Sequence, residues 1–147
     1  MKETIENLKN LMQKGEAYFQ NASQQEIENK SDEKEWSKKE ILGHLIDSGI
    51  NNLQRFTEIE FKPKPFPIRK YMQNELVIAN NYQNAEITEI LSFWKAINYR
   101  IEKIMAKQTA ETLKYEILLD GSQIETLEFL MKDYVNHLEH HLSQIFS

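Results

Sequence analysis

Three of the chain's four histidines, His137, His140 and His141, fall within five positions of the stretch "DYVNHLEHHLSQIF"; the fourth, His44, stands 93 residues before His137 in "EILGHLIDSG". The chemistry open to imidazoles crowded in this way is metal ligation, proton exchange near neutral pH, or plain solvation. Spacing separates the three. On a helix His137 and His141 are four residues apart and share one face, whereas His140 lies about 100° around the axis from His141. The apolar stripe of that helix runs through Leu127, Leu130, Tyr134, Leu138 and Ile145, and the inward pair interrupts it. A buried imidazole costs free energy unless its ring nitrogens find partners. A divalent metal ion is one partner that serves two imidazoles at once. The H-E-x-x-H pattern of zinc proteases is absent, because Leu138 follows His137, and no Glu-x-x-His pair of the di-iron bundles occurs. A solvated patch, a histidine pH switch and a metal site therefore all remain open on spacing alone.

His44 is the candidate third ligand, at the edge of an apolar face beside Ile41, Leu45 and Ser48. Three histidines from two helices would leave coordination positions for water or substrate, the open arrangement of catalytic sites. Asp47 follows His44 by one turn and Gln144 follows His141 by one turn. Each is a candidate to orient an imidazole or hold a water; the plain alternative is an exposed carboxylate and an exposed amide. Asp133, one turn before His137, has the same two readings. Tyr82, Trp94 and Tyr134 are candidates for a pocket wall or for ordinary core. Arg55 and Arg100 are candidates to bind a substrate carboxylate, or are simply solvated.

The elements that must bring these residues together are helical. The 147 residues fit one domain, 1–147, and include only 4 glycines and 3 prolines, the latter gathered in "KPKPFP". Apolar spacing predicts long helices over about 3–20, 37–60, 84–107 and 123–146, with a short helix near 71–81 inside the irregular segment "EFKPKPFPIRKYMQN". Ser37 and Glu40 make a capping box at the start of the second long helix, with Trp36 placed to pack on Ile41. Ser122 and Glu125 suggest a second box opening the last helix. "LKYEILLDGS" reads as an extended connection turning at Asp120-Gly121. The expected architecture is an all-α four-helix bundle with a long crossover between its second and third helices, a fold that builds metal sites from facing helices.

Net charge is −5 with acidic and basic residues interspersed, so no nucleic-acid partner is expected. The chain holds no cysteine, which excludes disulfides, a thiolate nucleophile and cysteine zinc sites, and favours the cytoplasm. The charged N-terminal stretch does not read as a signal peptide, and no run approaches the ~18 apolar residues of a membrane span.

Two segments, "WSKKEILGHLIDSGINNLQRF" and "YVNHLEHHLSQI", together with the proline-containing crossover and the central "FWKAINYRIEKI", resemble the DinB-like superfamily of four-helix-bundle metalloproteins, which includes bacillithiol-transferase-like members. Carried over by position, the resemblance implies metal ligands at His44, His137 and His141, with His140 at a position often histidine without ligating. It implies one divalent ion, often zinc or nickel. Some members use or transfer low-molecular-weight thiols and some are isomerases. The resulting expectation is a metal-dependent enzyme that activates a low-molecular-weight thiol or water against a small electrophilic substrate. The alternative is a non-catalytic bundle acting as a stress-response or interaction module. A homodimer through a bundle face is compatible with either.

Overall fold

Ser37 begins the helix that carries His44. In the computed structural model, which describes residues 1–147, its Oγ accepts from the Glu40 backbone N–H at 3.1 Å and its own N–H donates to Glu40 Oε1 at 3.1 Å. The expected capping box is thus formed. The helix it opens, α3 (Lys38–Glu58), is one of four long helices with α1 (Lys2–Asn21), α5 (Ile87–Ala106) and α6 (Leu127–Phe146). Short helices α2 (Gln24–Glu28) and α4 (Gln73–Ala79) lie in the connections, α4 within the segment expected to be helical.

The four long helices form a bundle in which α3 packs on α5 and α6, and α1 packs on the same two. Leu42, Leu45, Ile46 and Phe56 of α3 meet Trp94 and Ile101 of α5 and Leu138, Leu142 and Ile145 of α6 in a single core. Each such side chain, fully removed from water, contributes roughly 1.5–3 kcal/mol of transfer free energy. No helix is long and apolar enough to cross a membrane.

The last helix starts later than its apolar period suggests. Thr126, not Ser122, is its N-cap, with Oγ1 accepting from the Phe129 N–H at 3.1 Å. The Ser122–Glu125 capping box does not form. Ser122 sits at φ 70 and residues Ile124–Thr126 are extended as strand β3. β3 pairs antiparallel with β2 (Glu116–Leu118), bringing Ile117 opposite Glu125. The β-branched Ile124 and Thr126 suit that pleat, and the pairing supplies backbone partners that a helical turn there would lack. β2 also pairs in parallel with β1 (Phe66–Pro67) from the crossover, completing a three-stranded sheet of order β1-β2-β3. Ile117, fully buried, seats this sheet on the core. The sheet is minor in size, but it ties the α3–α5 crossover to the α5–α6 connection and holds Arg69 and Tyr71 against the end of α3.

Candidate metal centre

His44 projects from the second turn of α3, and His137 and His141 from successive turns of α6, toward a common point. The Nε2 atoms of His44 and His137 lie 3.3 Å apart, and those of His137 and His141 lie 3.1 Å apart. One ligand atom from each residue falls within 4.8 Å of the others. With zinc–imidazole bonds of about 2.0–2.1 Å, two nitrogens sharing one ion stand about 3–3.4 Å apart, so the spacing suits a single divalent cation.

The protonation of the rings agrees. His141 Nδ1 lies 2.9 Å from the amide oxygen of Gln144. An amide oxygen only accepts, so Nδ1 carries the proton and Nε2 presents a lone pair. At most one of the two Nε2–Nε2 contacts can be an ordinary hydrogen bond from His137, since its Nε2 has one proton to give. The other pair is left without a proton between its nitrogens, and the donor set fits a cation. Burial, reinforced by the neighbouring imidazoles, pushes His44 down to about 3 and His137 down to about 4. His141 is also lowered, chiefly by burial, with the Gln144 hydrogen bond pulling the other way. All three rings are neutral at pH 7, the form a metal requires.

Trp36 walls this centre. Its ring centroid is 4.8 Å from that of His44 and 6.5 Å from that of His141. The spacing of Trp36 before the capping box suggested a helix-start contact; its place against the imidazoles depends on how α3 and α6 meet.

Asp47 is buried, yet its carboxylate makes no hydrogen bond to an imidazole. Its Oδ1 accepts from Tyr82 Oη at 2.6 Å and from Asn80 Nδ2 at 3.1 Å, while Oδ2 has no partner, and His44 Nδ1 is likewise buried and unpartnered. Burial raises the Asp47 pKa, with the Tyr82 hydrogen bond opposing. The same burial, together with the Asp47 bond, holds the Tyr82 phenol far above its ordinary range. Gly43 makes this arrangement possible, because a Cβ there would stand 2.1 Å from the Tyr82 ring.

The remaining candidates divide. Gln144 places its Oε1 2.9 Å from His141 Nδ1. His140 is exposed and points off the shared face, with Nε2 3.3 Å from Gln144 Nε2. Trp94 is fully buried in the core, and Tyr134 donates from Oη to Asn98 Oδ1 at 2.6 Å. Arg100 is exposed. Asp133, also exposed, joins Arg55 and Tyr134 around a cavity of about 140 Å³ that His137 lines as well. A larger cleft of about 670 Å³, bordered by Pro63, Pro65 and Pro67 of the crossover, reaches none of the histidines.

The sequence profile of the DinB superfamily matches residues 8–145. The chain belongs to the DinB superfamily. Among solved structures, this DinB protein superposes on YfiT from Bacillus subtilis, described as a probable metal-dependent hydrolase with an unusual four-helix bundle topology. That match has a TM-score of 0.86 at 21% identity and covers 99% of this chain and 83% of YfiT. A mycothiol-dependent maleylpyruvate isomerase matches with a TM-score of 0.71 at 10% identity, over 96% of this chain and 59% of the isomerase. A histidine-to-alanine mutant of a mycothiol-dependent maleylpyruvate isomerase matches with a TM-score of 0.74 at 8% identity, over the same shares of the two chains. These likenesses show the bundle fold. No curated protein matches the sequence.

Proposed function

We propose that this DinB protein is a metal-dependent enzyme in which His44, His137 and His141 hold one divalent ion, zinc or nickel, within a single domain. It would activate a low-molecular-weight thiol or water for transfer to, or hydrolysis of, a small electrophile. The observation that carries the reading is the convergence of three neutral Nε2 atoms at 3.1–3.3 Å steps. The similarity in fold to a probable metal-dependent hydrolase and to a mycothiol-dependent isomerase supports the two reaction classes. When bound, such an ion acts as a Lewis acid that brings the pKa of water or a thiol toward neutrality.

The chain's own residues prepare that chemistry. Gln144 Oε1 accepts from His141 Nδ1, burial disfavours protonation of the three rings, and the Trp36 ring packs against His44. The test is elemental analysis of protein purified without a histidine tag. About one equivalent of metal is expected, with affinity in His137→Ala cut by ~100-fold or more. Less than ~0.1 equivalent, unchanged in His137→Ala, would sink the reading. A second reading, a non-catalytic bundle that keeps the centre, draws on the modest 140 Å³ of space beside His137. It predicts bound metal with no turnover of any thiol and electrophile pair, and a single turned-over pair removes it.

A further inference from the structure

The polar face of α3 does not stop at His44. Ser48, Asn52 and Arg55 follow it at steps of four, four and three residues, and so line one side of the helix. Ser48 and Asn52 are buried at 2% and 6% exposure, where apolar residues would cost less. Part of their need is met locally. Asn52 Nδ2 donates to the Ser48 carbonyl at 2.8 Å, and Asn52 Oδ1 accepts from Arg55 Nη1 at 3.4 Å.

Arg55 is the exception among these. It is half-buried and joins none of the protein's ion pairs. Its Nη2 donates to the Arg69 carbonyl, and its guanidinium lies 5.6 Å from the Tyr71 ring centroid. A guanidinium carries five donors in a planar fork, and these contacts leave several unused. Burial depresses the Arg55 pKa, with Tyr71 opposing.

The cavity of about 140 Å³ is lined by both Arg55 and His137, so one small molecule can meet both. A neighbouring cavity of about 380 Å³ shares Arg55, Tyr71 and Asp133 and extends the space toward Ile68 and Phe129. Asp133 borders both spaces. Lys70 lines only the larger space, so Arg55 is the one Lys or Arg side chain on the 140 Å³ space beside His137 and suits a single negative charge there.

We propose that Arg55, braced by Asn52 and Tyr71, binds the carboxylate of a small monocarboxylate substrate whose reacting end lies at the histidine triad. This rests on the metal-centre reading above. A planar guanidinium pairs with a carboxylate through two parallel hydrogen bonds, which fixes orientation as well as charge. Arg55 is a binding residue here, and the chemistry remains at the triad.

The test uses zinc-loaded protein and two probes with the same thiol-bearing chain, 3-mercaptopropionate and its methyl ester, titrated calorimetrically. The acid should bind about 10-fold or more tightly than the ester, and Arg55→Gln should abolish that preference with zinc content unchanged. Arg55→Lys should restore part of it, as a point charge without the fork. Equal binding of acid and ester, binding of neither, or a preference surviving in Arg55→Gln overturns the assignment. The acid–ester comparison needs only the unaltered protein, so a variant that fails to fold does not blunt it. Tighter binding of 2-mercaptoethyl phosphate than of the acid overturns the carboxylate class. Protein that takes up no zinc overturns this inference and the metal centre together; zinc uptake without discrimination overturns this inference alone.

Discussion

Gln144 does for His141 what no side chain does for His44. Its amide oxygen accepts a hydrogen bond from His141 Nδ1 at 2.9 Å, whereas His44 Nδ1 is buried without a partner. Gln144→Leu should therefore weaken metal binding ~10–100-fold in competition with a chelator. Because Gln144 is exposed, the metal-free variant should keep nearly normal thermal stability. The histidines also set a pH dependence. In the unfolded chain imidazoles take up protons near pH 6.5, but folded His44 resists until about 3 and His137 until about 4. Between those limits the unfolded state binds more protons, so metal-free stability should fall as pH drops from about 6.5 to about 4 and stay level just above 6.5. Asp47, with its raised pKa, works in the opposite direction at the acid end, one group against three. Urea midpoints at pH 7.5, 6 and 5 check the sign; a midpoint that rises on acidification contradicts it.

At the scale of elements, the start of α3 and the Tyr82 contact place the centre. Ser37→Ala removes the cap of the helix that carries His44 and should cost about 1 kcal/mol in urea unfolding. Gly43→Ala drives a methyl into the Tyr82 ring, and such overpacking costs roughly 1–3 kcal/mol. It should also perturb the tyrosine absorbance, because Tyr82 loses its seat on Asp47. A Gly43→Ala protein as stable as the parent would show that the ring can move aside freely. The helices themselves were legible in the sequence. A 3.6-residue apolar period marks α1, α3, α5 and α6, and the Ser37–Glu40 pattern marks one start to the residue. The opening of α6 was not legible, since Ile124–Thr126 is extended only because β2 lies beside it. α2 is five residues long and carries too little periodicity to read.

For the whole molecule, the triad joins α3 to α6 across the bundle, so an ion held there acts as a cross-brace between the two. Binding to the native state alone stabilises it by RT ln(1 + [L]/Kd), about 2.7 kcal/mol at a hundredfold excess over Kd. Removing metal with a chelator at fixed pH should lower the melting temperature, and adding zinc back should restore it. A melting temperature indifferent to both would separate the histidines from any structural ion. The His137–His141 pair was legible because one helix fixes both residues, and His44 because it stands at the edge of a second apolar face within a segment that resembles the family. Trp36 over His44, Asp47 turned to Tyr82, and the shared cavity of Arg55 and His137 were not legible. Each depends on how separate elements meet in three dimensions. The central claim is the shared ion. Its most direct measurement is an anomalous difference map at the zinc edge, from crystals of tag-free protein grown with equimolar zinc. One peak about 2.0–2.1 Å from Nε2 of His44, His137 and His141 is the predicted result. No peak there, or one bound through His140 or the Nδ1 atoms instead, would contradict it.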